Sequence, residues 1–292
     1  MAATWRIAGV QMDVRLAEPS ANLQAIRAKL AEAAQAGARL IVFPECALSG
    51  YCFRSRDEVL AFAEPVPGPS ITALADDCAR LGVFTVVGML EVTAGSVYNA
   101  AVLVGPAGVV SVYRKTHLPC LGADRFVDPG QGPYEVHDLG GLRVGVNICF
   151  DASFPEVSRI LTLNGADLII LPTNWADNAY KMATLVPRVR AFENHVYYLA
   201  VNRIGSEGGY HFIGHSSATD YSGDYQHFAE HDQETTFTVE IDPLAARQKR
   251  LIHCVGEYEI DRVNWRRPEL YGRLVQPMPE PFTGHQKGTS KE

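Results

Sequence analysis

Three residues able to do chemistry stand directly behind runs suited to buried strands. Glu45 follows Leu40-Ile41-Val42-Phe43 and one proline, Lys115 follows Val112-Tyr113-Arg114, and Cys149 follows Val144-Gly145-Val146-Asn147-Ile148. The ends of strands are where α/β proteins gather their sites. A carboxylate, an ammonium and a thiol together suffice for covalent catalysis at a carbonyl-like carbon. The glutamate accepts the thiol proton and later activates water, the sulfur attacks, and the lysine binds the oxyanion. Residues 155–164 carry a helical pattern, which places Cys149 between a strand and a helix N-terminus. Backbone N–H groups and the helix dipole there favour a thiolate, and a neighbouring lysine favours it further. Each residue alone has a plainer explanation. A buried cysteine acts as a small hydrophobe, and a charged residue at a strand end is usually the first solvated one. The chemistry requires all three to converge.

The elements that must bring them together are legible as periodicities. Residues 6–14 alternate and read as a strand, 22–36 have apolar residues at helical spacing with Gly37 as a stop, and 40–43 form a short buried strand. A helix over 70–81 ends at Gly82 and leads into a strand at 84–92. Strands at 98–104 and 109–113 are joined by Gly105-Pro106-Ala107-Gly108, a hairpin signal. There follow a strand at 142–148, a helix at 155–164, a strand at 167–171 and a helix at 182–194 with a kink expected at Pro187. A strand at 197–202, another at 235–241 and a helical stretch near 243–250 complete the pattern. Strands alternating with helices, with hairpins between some of them, predict an α/β fold with mixed sheets. No internal repeat or linker appears, so residues 1–276 are expected to form a single domain. Residues 277–292 lose periodicity and are expected to be a flexible or subunit-contacting tail.

The stretches around the three residues carry a resemblance. FPECALSGY (43–51), YRKTHLP (113–119) and NICFDASFPE (147–156) resemble, in that order, the three signature blocks of the nitrilase superfamily, the carbon–nitrogen hydrolases. RIAGVQMD near the start, LPTNW (171–175), RAFENHVYYLAVNRIG (190–205) and FIGHSSATDYSGD (212–224) extend the likeness to about residue 245. The resemblance implies a four-layer α-β-β-α sandwich with two mixed β-sheets. It implies Glu45 as general base, Cys149 as nucleophile, and Lys115 as oxyanion stabiliser together with the backbone N–H of Phe150. The reaction it implies is hydrolysis of a non-peptide carbon–nitrogen bond through a thioester acyl-enzyme, releasing ammonia or an amine. A small-molecule amide is the first expectation, and a nitrile or N-carbamoyl group is the alternative on the same triad. No metal or organic cofactor is implied, and a homo-oligomer, dimer or higher, is expected. The rival from another class is a non-catalytic scaffold on the same fold, which has no reason to keep all three residues.

The sequence departs from the family pattern in two places. Many members carry a second glutamate shortly after the lysine block, whereas residues 118–130 read LPCLGADRFVDPG and contain none. Asp124 is the nearest carboxylate and is read as its substitute, one methylene shorter. Ser153 stands where many relatives have arginine. Tyr51, just past the Glu45 turn, is a candidate substrate-binding residue, as are Phe150 and the pair Asn174 and Trp175 beyond the strand at 167–171. Glu193 is expected to pair with Arg188 or Arg190. His211 and His215, and His227 and His231, have metal-ligand spacing, but neither pair has a central glutamate or nearby cysteine ligands, so no metal is expected.

Composition sets the remaining bounds. With 47% hydrophobic and 20% charged residues in 292, the chain can bury a substantial core. A formal net charge of −7 speaks against nucleic acid or an anionic membrane surface as partner. No apolar run approaches the roughly 20 residues that cross a bilayer. The six cysteines are scattered without a CxxC pair, which fits free thiols in a reducing compartment, and a cytoplasmic location is expected.

Overall fold

The computed structural model describes residues 4–278. In chain order its elements are β1 (Trp5–Gln11), α1 (Pro19–Gln35), β2 (Leu40–Val42), α2 (Arg56–Ala61), α3 (Pro69–Leu81), β3 (Phe84–Thr93), β4 (Ser96–Gly105) and β5 (Gly108–Arg114). Then come β6 (Val136–Asp138), β7 (Arg143–Val146), α4 (Pro155–Leu163), β8 (Leu168–Thr173), α5 (Tyr180–Asn194) and β9 (Tyr197–Asn202). Last are β10 (Ile204–Glu207), β11 (Tyr210–Ile213), β12 (Ser217–Thr219), β13 (Tyr225–Phe228), β14 (Thr235–Ile241) and α6 (Pro243–Arg247). One six-stranded sheet has the order β14-β1-β2-β3-β4-β5, and the other β13-β12-β9-β8-β7-β6. Each has a parallel centre, β1-β2-β3 or β7-β8-β9, and antiparallel edges.

Residue parity builds the layers, because neighbours along a strand point to opposite faces. Ile7, Leu40, Val42, Ala101 and Leu103 of the first sheet meet Val144, Val146, Leu168, Ile170 and Leu199 of the second in one buried cluster. The alternate residues Ala8, Val10, Ile41, Ala100 and Val102 pack outward against Ile26, Leu30 and Ala33 of α1 and Ile71, Leu74 and Cys78 of α3. On the far side, Ile169, Leu171, Tyr198 and Ala200 pack against Val157 and Leu161 of α4 and Ala183 and Ala191 of α5. The result is a four-layer α-β-β-α sandwich. The helices form where expected for local reasons. Proline occupies the first turn of α1, α3 and α4, where its missing N–H costs nothing, and Gly82 closes α3 in the left-handed conformation at φ +68°.

Strands β6 and β10–β13 have no counterpart in the sequence reading. All five are three or four residues long and several are polar, so their pairing is decided by neighbouring strands rather than by local pattern. The helix expected near 243–250 ends at Arg247 and gives way to a hairpin, β15 (Leu251–Cys254) and β16 (Tyr258–Ile260). Packing divides the chain at 249/250 into two compact units. Of the expected tail, residues 279–292 lie outside the described residues. No described helix is long and apolar enough to cross a membrane.

Candidate active site

Glu45 leaves β2 through Pro44 and hooks over β3 at Gly88. The Gly88 N–H donates to Pro44 O at 3.2 Å, the Leu48 N–H donates to Gly88 O at 3.2 Å, and a Cβ at residue 88 would lie 2.6 Å from Glu45 Cα. Only glycine lets the loop lie that close. Lys115 extends β5 by one residue, and its N–H donates to Asn99 O on β4 at 2.9 Å. Asn99 shares its face of β4 with Ala101 and Leu103, the face turned to the second sheet. Cys149 lies three residues beyond the end of β7 at φ +44°, the left-handed region that a non-glycine residue occupies at a cost, and opens the 3-10 turn Cys149–Ser153.

Glu45, Lys115 and Asn99 meet with Asp124 in a buried polar cluster. Lys115 Nζ lies 2.7 Å from Glu45 Oε1 and 2.5 Å from Asp124 Oδ2, with all three side chains fully buried. Asn99 Nδ2 donates to Glu45 Oε1 at 2.7 Å and to Asp124 Oδ1 at 2.8 Å. Tyr51 donates its hydroxyl to Asp124 Oδ2 at 2.7 Å, its ring passing close to Gly122, where a Cβ would come within 2.4 Å. Behind Tyr51, the buried Glu207 accepts from the Tyr51 N–H at 2.7 Å and from the Cys52 N–H, and pairs with the buried Arg203. Asp151 joins the lysine block to the cysteine block. It accepts from the Tyr113 hydroxyl at 2.7 Å, the Thr116 hydroxyl at 3.0 Å, the His117 N–H at 3.0 Å and the Ile148 N–H at 3.1 Å.

The electrostatics correct one expectation. Burial, and then the Glu45 charge, push the Cys149 thiol up to about 12, against the opposing pull of Lys115. Cys149 retains some surface exposure, yet desolvation is the largest influence on its thiol. The turn behind it is short, and α4 begins only at Pro155, so no long helix dipole offsets the burial. Burial thus works against the expected thiolate. Burial also raises Glu45 above the ordinary carboxylate value, with Lys115 opposing and Asp124 reinforcing the rise. Lys115 is pulled down by burial, yet Asp124 and Glu45 more than reverse this and hold it well above its usual value, as an ammonium. A neutral thiol beside a carboxylate of raised proton affinity is suited to base-assisted attack.

The other expected residues fall as follows. Asn174 directly follows β8 at 3% exposure, with neither polar atom of its side chain hydrogen-bonded. Its backbone N–H acts on the Cys149 sulfur. Phe150 is half-buried in the turn and meets Phe154 edge-on at 5.4 Å. Trp175 is buried in the cluster between the second sheet and α4 and α5, which Cys149 also touches. Arg190, not Arg188, pairs with Glu193, at 3.0 Å. His211 lies between Asp177, at 2.9 Å, and Asp232, at 3.1 Å. Among the described residues no group of three or more His, Cys, Asp or Glu side chains could hold a metal ion. All six cysteines are free. Asn99 was missed by the sequence reading, although a polar residue at an inward position of an otherwise apolar strand was the signal for it.

Asp124 is the testable departure from the family pattern. In Asp124→Asn the oxygen facing Lys115 keeps at most half its charge-assisted bonds, and an amide nitrogen is set against Asn99 Nδ2 or Lys115 Nζ. Turnover is expected to fall roughly tenfold or more with the fold retained, about 1.4 kcal/mol at the transition state. An unchanged rate removes Asp124 from the working site.

The chain belongs to the carbon–nitrogen hydrolase family, whose model matches residues 6–250. It is 38% identical over 247 residues to a nitrilase of Pyrococcus abyssi, a match covering 84% of this chain and 93% of the relative. It is 32% identical over 266 residues to an omega-amidase of Xenopus laevis, covering 82% and 93%. Among solved structures, a carbon–nitrogen hydrolase superfamily protein from Xanthomonas campestris with an arsenic adduct in its active site aligns with TM-score 0.76 at 26% identity, covering 84% of this chain and 93% of that one. The protein is accordingly a hydrolase of carbon–nitrogen bonds.

Proposed function

We propose that the protein hydrolyses a primary amide of a small molecule through an acyl-enzyme on Cys149. The observation that carries this reading is a set of buried, unpartnered polar atoms: Glu45 Oε2 and both Asn174 Nδ2 and Oδ1. Buried polar atoms are seldom left without partners. The Asn174 side chain offers one donor and one acceptor side by side, the complement of a carboxamide. A nitrile has no hydrogen to give and would leave Asn174 Oδ1 unpaired.

The reaction then runs on this chain's own groups. Glu45 Oε2 takes the thiol proton as the sulfur attacks the carbonyl carbon. The resulting oxyanion accepts the third hydrogen of Lys115 Nζ, since two are engaged by Glu45 and Asp124. It also accepts from the Phe150 N–H, at the start of a turn where leading N–H groups lack helical acceptors. Glu45 returns its proton to the nitrogen, ammonia leaves, and a thioester remains. Water attacks the thioester with Glu45 again as base, releasing the acid. The names of the amidase and nitrilase relatives support both amide and nitrile chemistry within the family, and the Asn174 pairing favours the amide. An ammonia-release screen over aliphatic amides, ω-amides, N-carbamoyl compounds and nitriles tests it. The highest kcat/KM is expected for a primary amide, and faster turnover of a nitrile or carbamoyl compound would reject the reading.

A further inference from the structure

We propose that Asn99 is a positioning residue for the reaction, its single amide NH2 group holding Glu45 and Asp124 in register against Lys115 and reserving Glu45 Oε2 as the atom that takes and returns the proton. The inference rests on the proposed role of Glu45. It begins from hydrogen-bond bookkeeping. An amide nitrogen has two hydrogens, and Asn99 spends one on Glu45 Oε1 at 2.7 Å and the other on Asp124 Oδ1 at 2.8 Å. Lys115 supplies a second donor to each carboxylate, on Glu45 Oε1 and Asp124 Oδ2. Glu45 Oε1 is thereby occupied by two donors, while Glu45 Oε2 is buried with none. A proton arriving on the carboxylate therefore goes to Oε2.

The orientation of the amide is not arbitrary. Turning it over would set Asn99 Oδ1 against two carboxylate oxygens with no hydrogen between them. As it stands, Oδ1 instead faces Cys46, whose sulfur lies 3.6 Å away and donates to it. Cys46 is the residue after Glu45, fully buried and held at φ +49°. The loop that delivers the base thus also fixes the group that aims it. The backbone makes the same connection, since Lys115 N–H donates to Asn99 O at 2.9 Å. Asn99 in this way touches both carboxylates with its side chain and carries the lysine with its main chain.

A donor to the charged form of a carboxylate lowers its proton affinity. Asn99 therefore holds Glu45 below the value that burial and Asp124 would otherwise set, and its removal moves the acid limb of the rate to higher pH. The test uses Asn99→Leu, which keeps the branched shape and removes both donors, and Asn99→Ser, which keeps one. Two readouts are followed against pH: kcat and KM on the amide found in the screen, and alkylation of Cys149 by iodoacetamide, read on its own peptide by mass spectrometry. In Asn99→Leu kcat is expected to fall about tenfold, the effect of losing a hydrogen bond to a charged group, with KM changed little. The acid limbs of kcat/KM and of alkylation should shift upward together, by roughly half a pH unit or more, and Asn99→Ser should lie between. A folded variant with the wild-type kcat and both limbs unmoved overturns the proposal, as does a loss confined to thermal stability. If Asn99→Leu fails to fold, Asn99→Ser decides by the same two limbs. If the wild type turns over no amide, the proposed function fails, while the alkylation limb still judges Asn99.

Discussion

Cys149→Ala will abolish ammonia release, a loss of at least about 10⁴-fold if the sulfur is the nucleophile, with the fold retained, since Cys149 keeps some surface exposure and the change removes one atom. The sharper half of the experiment is Glu45→Gln. With burial and the Glu45 charge pushing the thiol up to about 12, almost none of it is ionised at neutral pH, and attack depends on a base that takes the proton as the bond forms. Glutamine keeps the shape and the contact to Lys115 but takes no proton. A loss of roughly 10³-fold is expected, with Cys149 still present and intact. The pH profile carries the sign. A general base works when deprotonated, so activity falls as pH drops through its pKa. Burial raises that of Glu45 above its ordinary 4.5, so the acid limb of kcat/KM should lie above pH 4.5 and vanish in Glu45→Gln. Labelling needs care for the same reason. Cys120 and Cys254 are exposed and will alkylate as ordinary thiols, so a single fast thiol is not the expected pattern. The distinguishing mark of Cys149 is that its alkylation follows Glu45. An acid limb at or below pH 4.5, or Glu45→Gln at the wild-type rate, would show that the thiol ionises without this base.

The three chemical residues were legible because each stands one or two positions beyond an apolar run, where a buried strand must surface at the edge of its sheet. The helices and long strands were legible because a 3.6-residue or two-residue period persists over several turns or pairs. What was lost was everything decided across the fold. The strands of three or four residues have too little length to show a period, and Ser217–Thr219 exists because β9 offers it an edge. The resting state of Cys149 was misjudged because a sequence shows which charges are near in the chain but not how much water has been removed. Asn99 lay in plain view between Tyr98 and Ala100, on the parity that faces the second sheet. Its meaning depends on Glu45 and Asp124, 54 and 25 residues away, and no local pattern ties those three together. Asp124 came nearer to view only because a missing glutamate called for a carboxylate in that stretch.

Lys115→Met should be the most damaging single change in stability and in rate together, and the two losses can be separated. Its ammonium is wholly buried between two wholly buried carboxylates. Removing one partner of a buried ionic cluster costs about 3–5 kcal/mol, because the charges left behind keep no compensation. Here two anions remain, both bonded to the same Asn99 amide. Glu45, whose proton affinity burial and the Asp124 charge already raise, relieves the repulsion by holding a proton in the folded state. A carboxylate raised in this way contributes stability that is present at low pH and lost as pH rises through its folded pKa. The variant's deficit relative to wild type should therefore shrink on acidification from pH 7 toward pH 5, measured by thermal or denaturant unfolding at each pH. The rate should fall at least about 10²–10³-fold, the usual effect of losing an oxyanion donor. Lys115→Met combined with Asp124→Asn removes one of the stranded charges. It should regain most of the stability and none of the turnover. If the double variant instead recovers its rate along with its stability, Lys115 serves only to balance charge, and the oxyanion must be held by backbone groups alone.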